Sequence, residues 1–193
     1  MPSIPPPGPD FDAVLRLQSE LQGESPRGVV LIATAMIEEA LRELLLAFLV
    51  ANASSNDTLL DGPNSPLGTL SAKVDAAYRL GLISHSFSRD LHVIRRLRND
   101  VAHQPKGFKF EDRGPEQRIL ALTKSHGLFT RSPRWVAQHG QPDLRDQFLE
   151  SASWMLFFLA AERERIAPPR PRSQEFGYVT TLDSERGLPP DAA

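Results

Sequence analysis

The run Arg95-Arg96-Leu97-Arg98-Asn99-Asp100-Val101-Ala102-His103 is the densest set of chemically capable side chains in the sequence. Asn99 and His103 are four residues apart, so on a helix they share one face. Arg98 lies one step off that face, within reach of its long side chain. A guanidinium, an amide and an imidazole at one helix end can cleave RNA without a metal ion. The imidazole would exchange a proton with the ribose 2′-hydroxyl or the leaving oxygen. Arg98 would stabilise charge on the phosphoryl oxygens, and Asn99 would orient either group. One imidazole does not easily serve as both base and acid in a turnover, whereas two copies facing each other across a dimer axis would supply both. A structural reading competes with this one. Arginine and histidine in a last helical turn commonly bond the free carbonyls there or bridge to a neighbouring carboxylate. Glu38 and Glu39 are the natural partners, and the sequence favours such a structural role, or one at a dimer interface.

The same residues invite a nucleic-acid reading. Ser84 to Phe110 holds six Lys/Arg against two acidic residues, in a chain whose net charge is -2. Any contact to RNA or DNA must therefore come from a local patch, with Arg89, Arg95 and Arg96 as its cations. Ala77, Gly81 and Ile83 fall where a helix-turn-helix has its small residue, turn glycine and buried aliphatic. Arg89, His92, Arg95 and Arg96 would then face a groove. Asp90, however, occupies a position that should be apolar, and the helix is too long for a recognition helix. A plain helical hairpin is the better expectation.

Prolines and apolar spacing set the elements that must position these groups. Of 17 prolines, ten lie at Pro2–Pro9 and Pro168–Pro190, which predicts disordered ends at 1–9 and 167–193. Between them a single domain is expected over residues 10–166, long enough to bury one core. The internal prolines sit at helix starts or just past helix ends. Ser25-Pro26 reads as a cap followed by proline at the first helical position. Val29, Val30, Ala33, Ile37, Leu41, Leu44 and Leu45 then recur at three- and four-residue steps, which predicts a long central helix to about Ala51. A shorter helix precedes it, ending at Gly23. Others are predicted from about Thr69 to Leu80, from Ser84 to before Pro105, from Pro115 to Gly127, and from Pro142 to before Pro168. Gly107-Phe108-Lys109-Phe110 alternates like a short strand, and Leu128 to Gln141 reads as irregular. The fold class is all-α: one bundle of about six helices.

Several chemistries are excluded. There is no cysteine, so disulfides, zinc-thiolate sites and a thiol nucleophile are absent. The five histidines, at 85, 92, 103, 126 and 139, do not pair at the four-residue spacing of a helical metal site, and no phosphate loop or nucleophile elbow occurs. No metal and no cofactor is expected. The apolar stretch from Gly28 to Ile37 is too short to span a membrane, and no leader is visible, so a cytoplasmic protein with no membrane contact is expected. Trp154, Phe157 and Phe158 read as core or a dimer seam, and Trp135 as an anchor for its loop. The apolar residues around more than one face of the last helix predict a homodimer.

Four stretches carry a family resemblance: Arg27-Gly28-Val29-Val30-Leu31-Ile32-Ala33-Thr34-Ala35 with Glu38-Glu39-Ala40-Leu41; Ser65-Pro66-Leu67-Gly68-Thr69-Leu70-Ser71-Ala72-Lys73; Tyr78-Arg79-Leu80-Gly81-Leu82-Ile83; and Asp90-Leu91 through Ile94-Arg95 to Arg98-Asn99-Asp100-Val101-Ala102-His103. In these the chain resembles the mannitol operon repressor family of bacterial regulators, over about Arg27 to Asp112. Leu70 and Val101 replace the phenylalanines expected there, the mark of a divergent member. The resemblance implies an all-helical fold and a role in transcription control; with no clear helix-turn-helix, that control is expected through a protein partner or a basic surface of another kind. Arg98-Asn99-x-x-x-His103 also looks like the Arg-x4-6-His motif of the HEPN superfamily, which includes metal-independent ribonucleases and inactive binding modules. That likeness implies Arg98, Asn99 and His103 as catalytic residues only if the chain is an enzyme.

Overall fold

The computed structural model describes residues 18–52, 54, 57–62, 64–103, 107–126, 133–167 and 169–170. The proline-rich ends, most of the predicted N-terminal helix, and the Trp135 side chain lie outside the described residues. Among those described the fold is all-α, with no strand.

Residues 18–21 form the end of α1. They are followed by α2 (Pro26–Phe48), α3 (Leu70–Arg79), α4 (His85–His103), α5 (Arg113–His126), α6 (Pro133–His139) and α7 (Leu144–Arg165). The starts of α2, α3, α4 and α7 have a local chemical cause. Ser25 caps α2 by accepting from the Gly28 amide at 3.0 Å, with Pro26 in the first turn. Thr69 accepts from Ala72 N at 3.2 Å, Ser84 from Phe87 N at 3.2 Å, and Asp143 from Asp146 N at 2.7 Å. The turn after α3 has a cause of equal clarity. Gly81 adopts φ +77°, and its amide bonds Tyr78 O at 3.0 Å while Leu82 N bonds Ala77 O at 2.9 Å. That is a Schellman motif, closed by the buried pair Ala77 and Leu82. A left-handed residue is required there, hence glycine.

Helix α2 is the hub and packs against α7, α3 and α4. Val29, Val30, Ala33, Ile37, Leu41, Leu44 and Leu45 are all fully buried on it. Helix α5 completes the bundle against α4 and α7. At the other end of the chain, Arg145 on α7 donates from one guanidinium nitrogen to the carbonyls of Leu21, Gln22 and Glu24, each at 2.8 Å. Those carbonyls close α1, so the guanidinium serves as its C-cap.

Two expectations are corrected. The alternation at Phe108 and Phe110 does not mark a strand. The segment is a loop whose two rings, 5.3 Å apart, enter the core, where Phe110 meets Phe148 at 5.6 Å. Burying every second side chain satisfies a loop that lies along a core as well as it satisfies a strand edge. The stretch read as irregular contains α6, whose seven residues are too few for a helical period to show.

The loop between α2 and α3 is held by Arg42, whose Nε and Nη2 donate to the two Asp61 carboxylate oxygens at 2.9 and 3.0 Å. The bonds from Arg42 hold the Asp61 carboxyl below its ordinary range.

Candidate functional site

A cleft of about 400 Å³ opens between α2, the start of α3 and the middle of α4. Glu38 lines it from α2, Gly68, Thr69, Leu70 and Ser71 from the entry to α3, and Arg95, Arg98 and Asn99 from α4. Residues 95, 98 and 99 are spaced three and four apart, so one face of α4 carries all three into it. The opposite wall is fixed by close backbone approach. A Cβ on Gly68 would stand 2.4 Å from Gly62 O and 3.1 Å from Ser65 O, so only glycine fits without moving backbone. Lys73, 4% exposed, ties the walls together. Its ammonium donates to Glu38 Oε1 at 2.9 Å and lies 3.4 Å from Gly68 O.

Of the four α4 residues expected at a DNA groove, Arg89 and Arg96 are exposed and share one strip of the helix with the half-buried His92. Although Arg96 is exposed as a residue, partial loss of water around its guanidinium, with the neighbouring charges of Arg118 and Arg95, lowers its pKa. His92 is 3.1 Å from the Asp75 carboxylate on α3. Arg95 turns away from the strip into the cleft, half-buried. Asp90 is buried at 1% exposure, so a carboxylate fills the inward position at which a recognition helix has an apolar residue.

The Arg98–His103 constellation is only partly assembled. Arg98 Nη1 donates to Asn99 Oδ1 at 3.2 Å, and both side chains line the cleft. His103 lies one turn further on, exposed, and does not line it. The carboxylates expected to bridge to it are engaged elsewhere: Glu38 with Lys73, and Glu39 with Arg42 at 3.4 Å. Among the described residues no hydrogen bond or ion pair holds His103, so the expected bridge to Glu38 or Glu39 is not made within the chain. The arginine-to-carboxylate bridge of this region runs instead from Arg118 on α5 to Asp100.

The sequence reading missed Lys73, Gly68 and the α3 cap as parts of the site. Lys73 sits between Leu70, Val74 and Ala77 on the apolar face of α3, a placement that signals a partnered lysine.

A further cluster lies on α7. Trp154 donates its indole N–H to Glu150 Oε1 at 3.1 Å, and Gln18 donates to the other carboxylate oxygen at 3.2 Å. The Trp154 ring stacks on Phe158 at 5.8 Å and meets Phe157 edge-on at 5.4 Å, while Phe158 stays 46% exposed.

No helix among the described residues is long and apolar enough to cross a membrane. Among solved structures, the chain is similar to one described as the X-ray structure of the MtlR-HPr complex from Escherichia coli. The TM-score is 0.56 at 21% identity, over 76% of this chain and 98% of that chain. At that identity the likeness speaks for the fold alone. No curated protein matches the sequence. The model of the family described as mannitol repressor, MtlR, matches residues 14–158. That span reaches beyond the four resembling stretches on both sides and includes α2 to α6 and most of α7. The chain belongs to the mannitol repressor family.

Proposed function

We propose that the protein is a transcriptional regulator that works as a homodimer through a protein partner, without inserting a helix into a DNA groove. The family match over residues 14–158 carries this reading. The packing of α4 supports its mode of action. α2, α3 and α5 all pack against that helix, and the buried Asp90 stands where a recognition helix has an apolar residue. The similar solved structure is described as a complex with HPr, which makes a protein of that kind the first partner to test. The homodimer reading rests on α7, where Phe158 and its aromatic neighbours form an apolar surface that a second copy would cover.

Sedimentation velocity tests both parts. The wild type is expected to run as a dimer at micromolar concentration and to form a faster species when HPr from the same host is added. Phe158→Glu is expected to run as a monomer with little change in melting temperature. A wild type that stays monomeric and does not bind HPr would refute the proposal.

One observation favours a second reading, a metal-independent ribonuclease: Arg98 and His103 are exposed to solvent rather than tied to neighbouring carboxylates. In such a reaction the 2′-oxygen attacks phosphorus and the bond to the 5′-oxygen breaks. One imidazole takes the 2′ proton, and a second copy's imidazole protonates the leaving oxygen. The products are a 2′,3′-cyclic phosphate and a 5′-hydroxyl. His103→Ala is expected to leave the melting temperature unchanged, because the side chain is exposed. Incubating both proteins with RNA in EDTA decides the matter. Under the regulator reading neither cuts; cleavage by wild type alone would make the enzyme reading the leading one.

A further inference from the structure

The cleft between α2, α3 and α4 holds more positive charge than its own residues neutralise. Arg95 and Arg98 line it, and the one carboxylate there among the described residues, Glu38, is already matched by Lys73 at 2.9 Å. Two guanidinium charges are therefore left over. The Nε of Arg95 is buried and has no hydrogen-bond acceptor among the described residues. A buried N–H in that condition is unfavourable unless something in the cleft accepts from it. The Asn99 carboxamide oxygen accepts from Arg98, which leaves the NH2 side of the amide to donate.

The facing wall adds donors. Thr69 caps α3 by accepting from Ala72 N. The amides of Leu70 and Ser71, in the first turn, have no acceptor within their own helix. Both residues line the cleft, at the positive end of the α3 dipole. The charge surplus of two sets the preferred ligand as a dianion. The volume, about 400 Å³, exceeds what a bare phosphate fills and lies in the range of small-molecule sites. Glu38, Thr69 and Ser71 offer the remaining space to hydroxyl groups rather than to an apolar body.

We propose that this cleft binds the phosphate dianion of a small hydroxylated phosphomonoester, with Arg95 and Arg98 on the phosphoryl oxygens and the α3 amides opposite. The inference stands on the cleft alone and does not depend on how the protein regulates or on whether it cuts RNA. Free phosphate and an esterified one share this chemistry, so the test carries an arm for each.

Isothermal titration at constant ionic strength, with inorganic phosphate, glucose 6-phosphate and glucose as probes, reads the site directly. Saturable binding of inorganic phosphate is expected, with tighter binding of the sugar phosphate and none of glucose. Arg98→Gln, an exposed change that leaves the core intact, is expected to weaken phosphate at least about tenfold, since it removes a charge-assisted bond. Arg95→Gln is expected to do the same, while Arg89→Gln and His103→Ala bind like wild type. If inorganic phosphate binds as well as the ester, the cleft is an anion site without an ester preference, and that part of the proposal fails. Heats that chloride reproduces, or binding that survives both cleft substitutions, would overturn it altogether.

Discussion

Phe148→Ala is expected to lower the free energy of unfolding by about 3–5 kcal/mol, the usual result of emptying a buried phenylalanine site. The side chain is fully buried on α7, and its ring meets Phe110 at 5.6 Å, which in turn meets Phe108 at 5.3 Å. Removing it takes away the surface on which the 107–112 segment rests, and that segment sets the start of α5. Because α5 packs on both α4 and α7, the site cannot collapse without moving two helix contacts. Total stability of a domain this size is about 5–15 kcal/mol, so the loss is a large part of the whole. Phe158→Ala on the same helix is the control, since that ring is 46% exposed and should cost far less. Urea unfolding of the three proteins reads the difference as a lower midpoint at unchanged slope. A midpoint for Phe148→Ala close to that of Phe158→Ala would mean that the loop does not depend on this ring.

Most of the helical frame was legible because its signals are local. Ser25-Pro26, Thr69, Ser84 and Gly81 mark starts and a stop through bonds that span five residues or fewer, and all four act as expected. The long apolar period of α2 likewise announced a hub. What failed was short or ambiguous. Seven residues of α6 give no measurable period, and two phenylalanines spaced by two fit a core-lining loop as well as a strand. The site divides along the same line. Arg98 and Asn99 stood out as neighbours in a charged run, whereas Arg95 was read toward a groove and not toward the cleft it lines. The other wall of the cleft could not be read, because the contact from Lys73 to Glu38 spans 35 residues and joins two helices. His103 was misjudged for a related reason. Its position in the last turn was clear, but whether Glu38 would be free to meet it depended on Lys73.

That ion pair leads to the second large effect, an asymmetry between its two members. Glu38→Ala is expected to destabilise the fold by about 2–3 kcal/mol, below the roughly 3–5 kcal/mol of a fully buried pair because Glu38 is partly open to water. The Lys73 side chain is only 5% exposed, so without Glu38 its ammonium keeps the Gly68 carbonyl, 3.4 Å away, and little else. Lys73→Met is expected to cost about 1 kcal/mol or less. Methionine fills the volume of the lysine stem between Leu70 and Val74, and Glu38, 35% exposed, can turn its carboxylate to solvent. The ordering is opposite to what the loss of packing volume at each position would give, since the buried member is the one that tolerates replacement. The cleft supplies an independent reading of the same pair. Removing the Glu38 carboxylate deletes the one negative charge on the cleft wall, so Glu38→Ala should bind inorganic phosphate more tightly while being less stable. Thermal melts with and without phosphate measure both effects on one sample. Equal destabilisation by the two substitutions would show that the pair acts through packing alone. Unchanged phosphate affinity in Glu38→Ala would show that the carboxylate does not face the ligand.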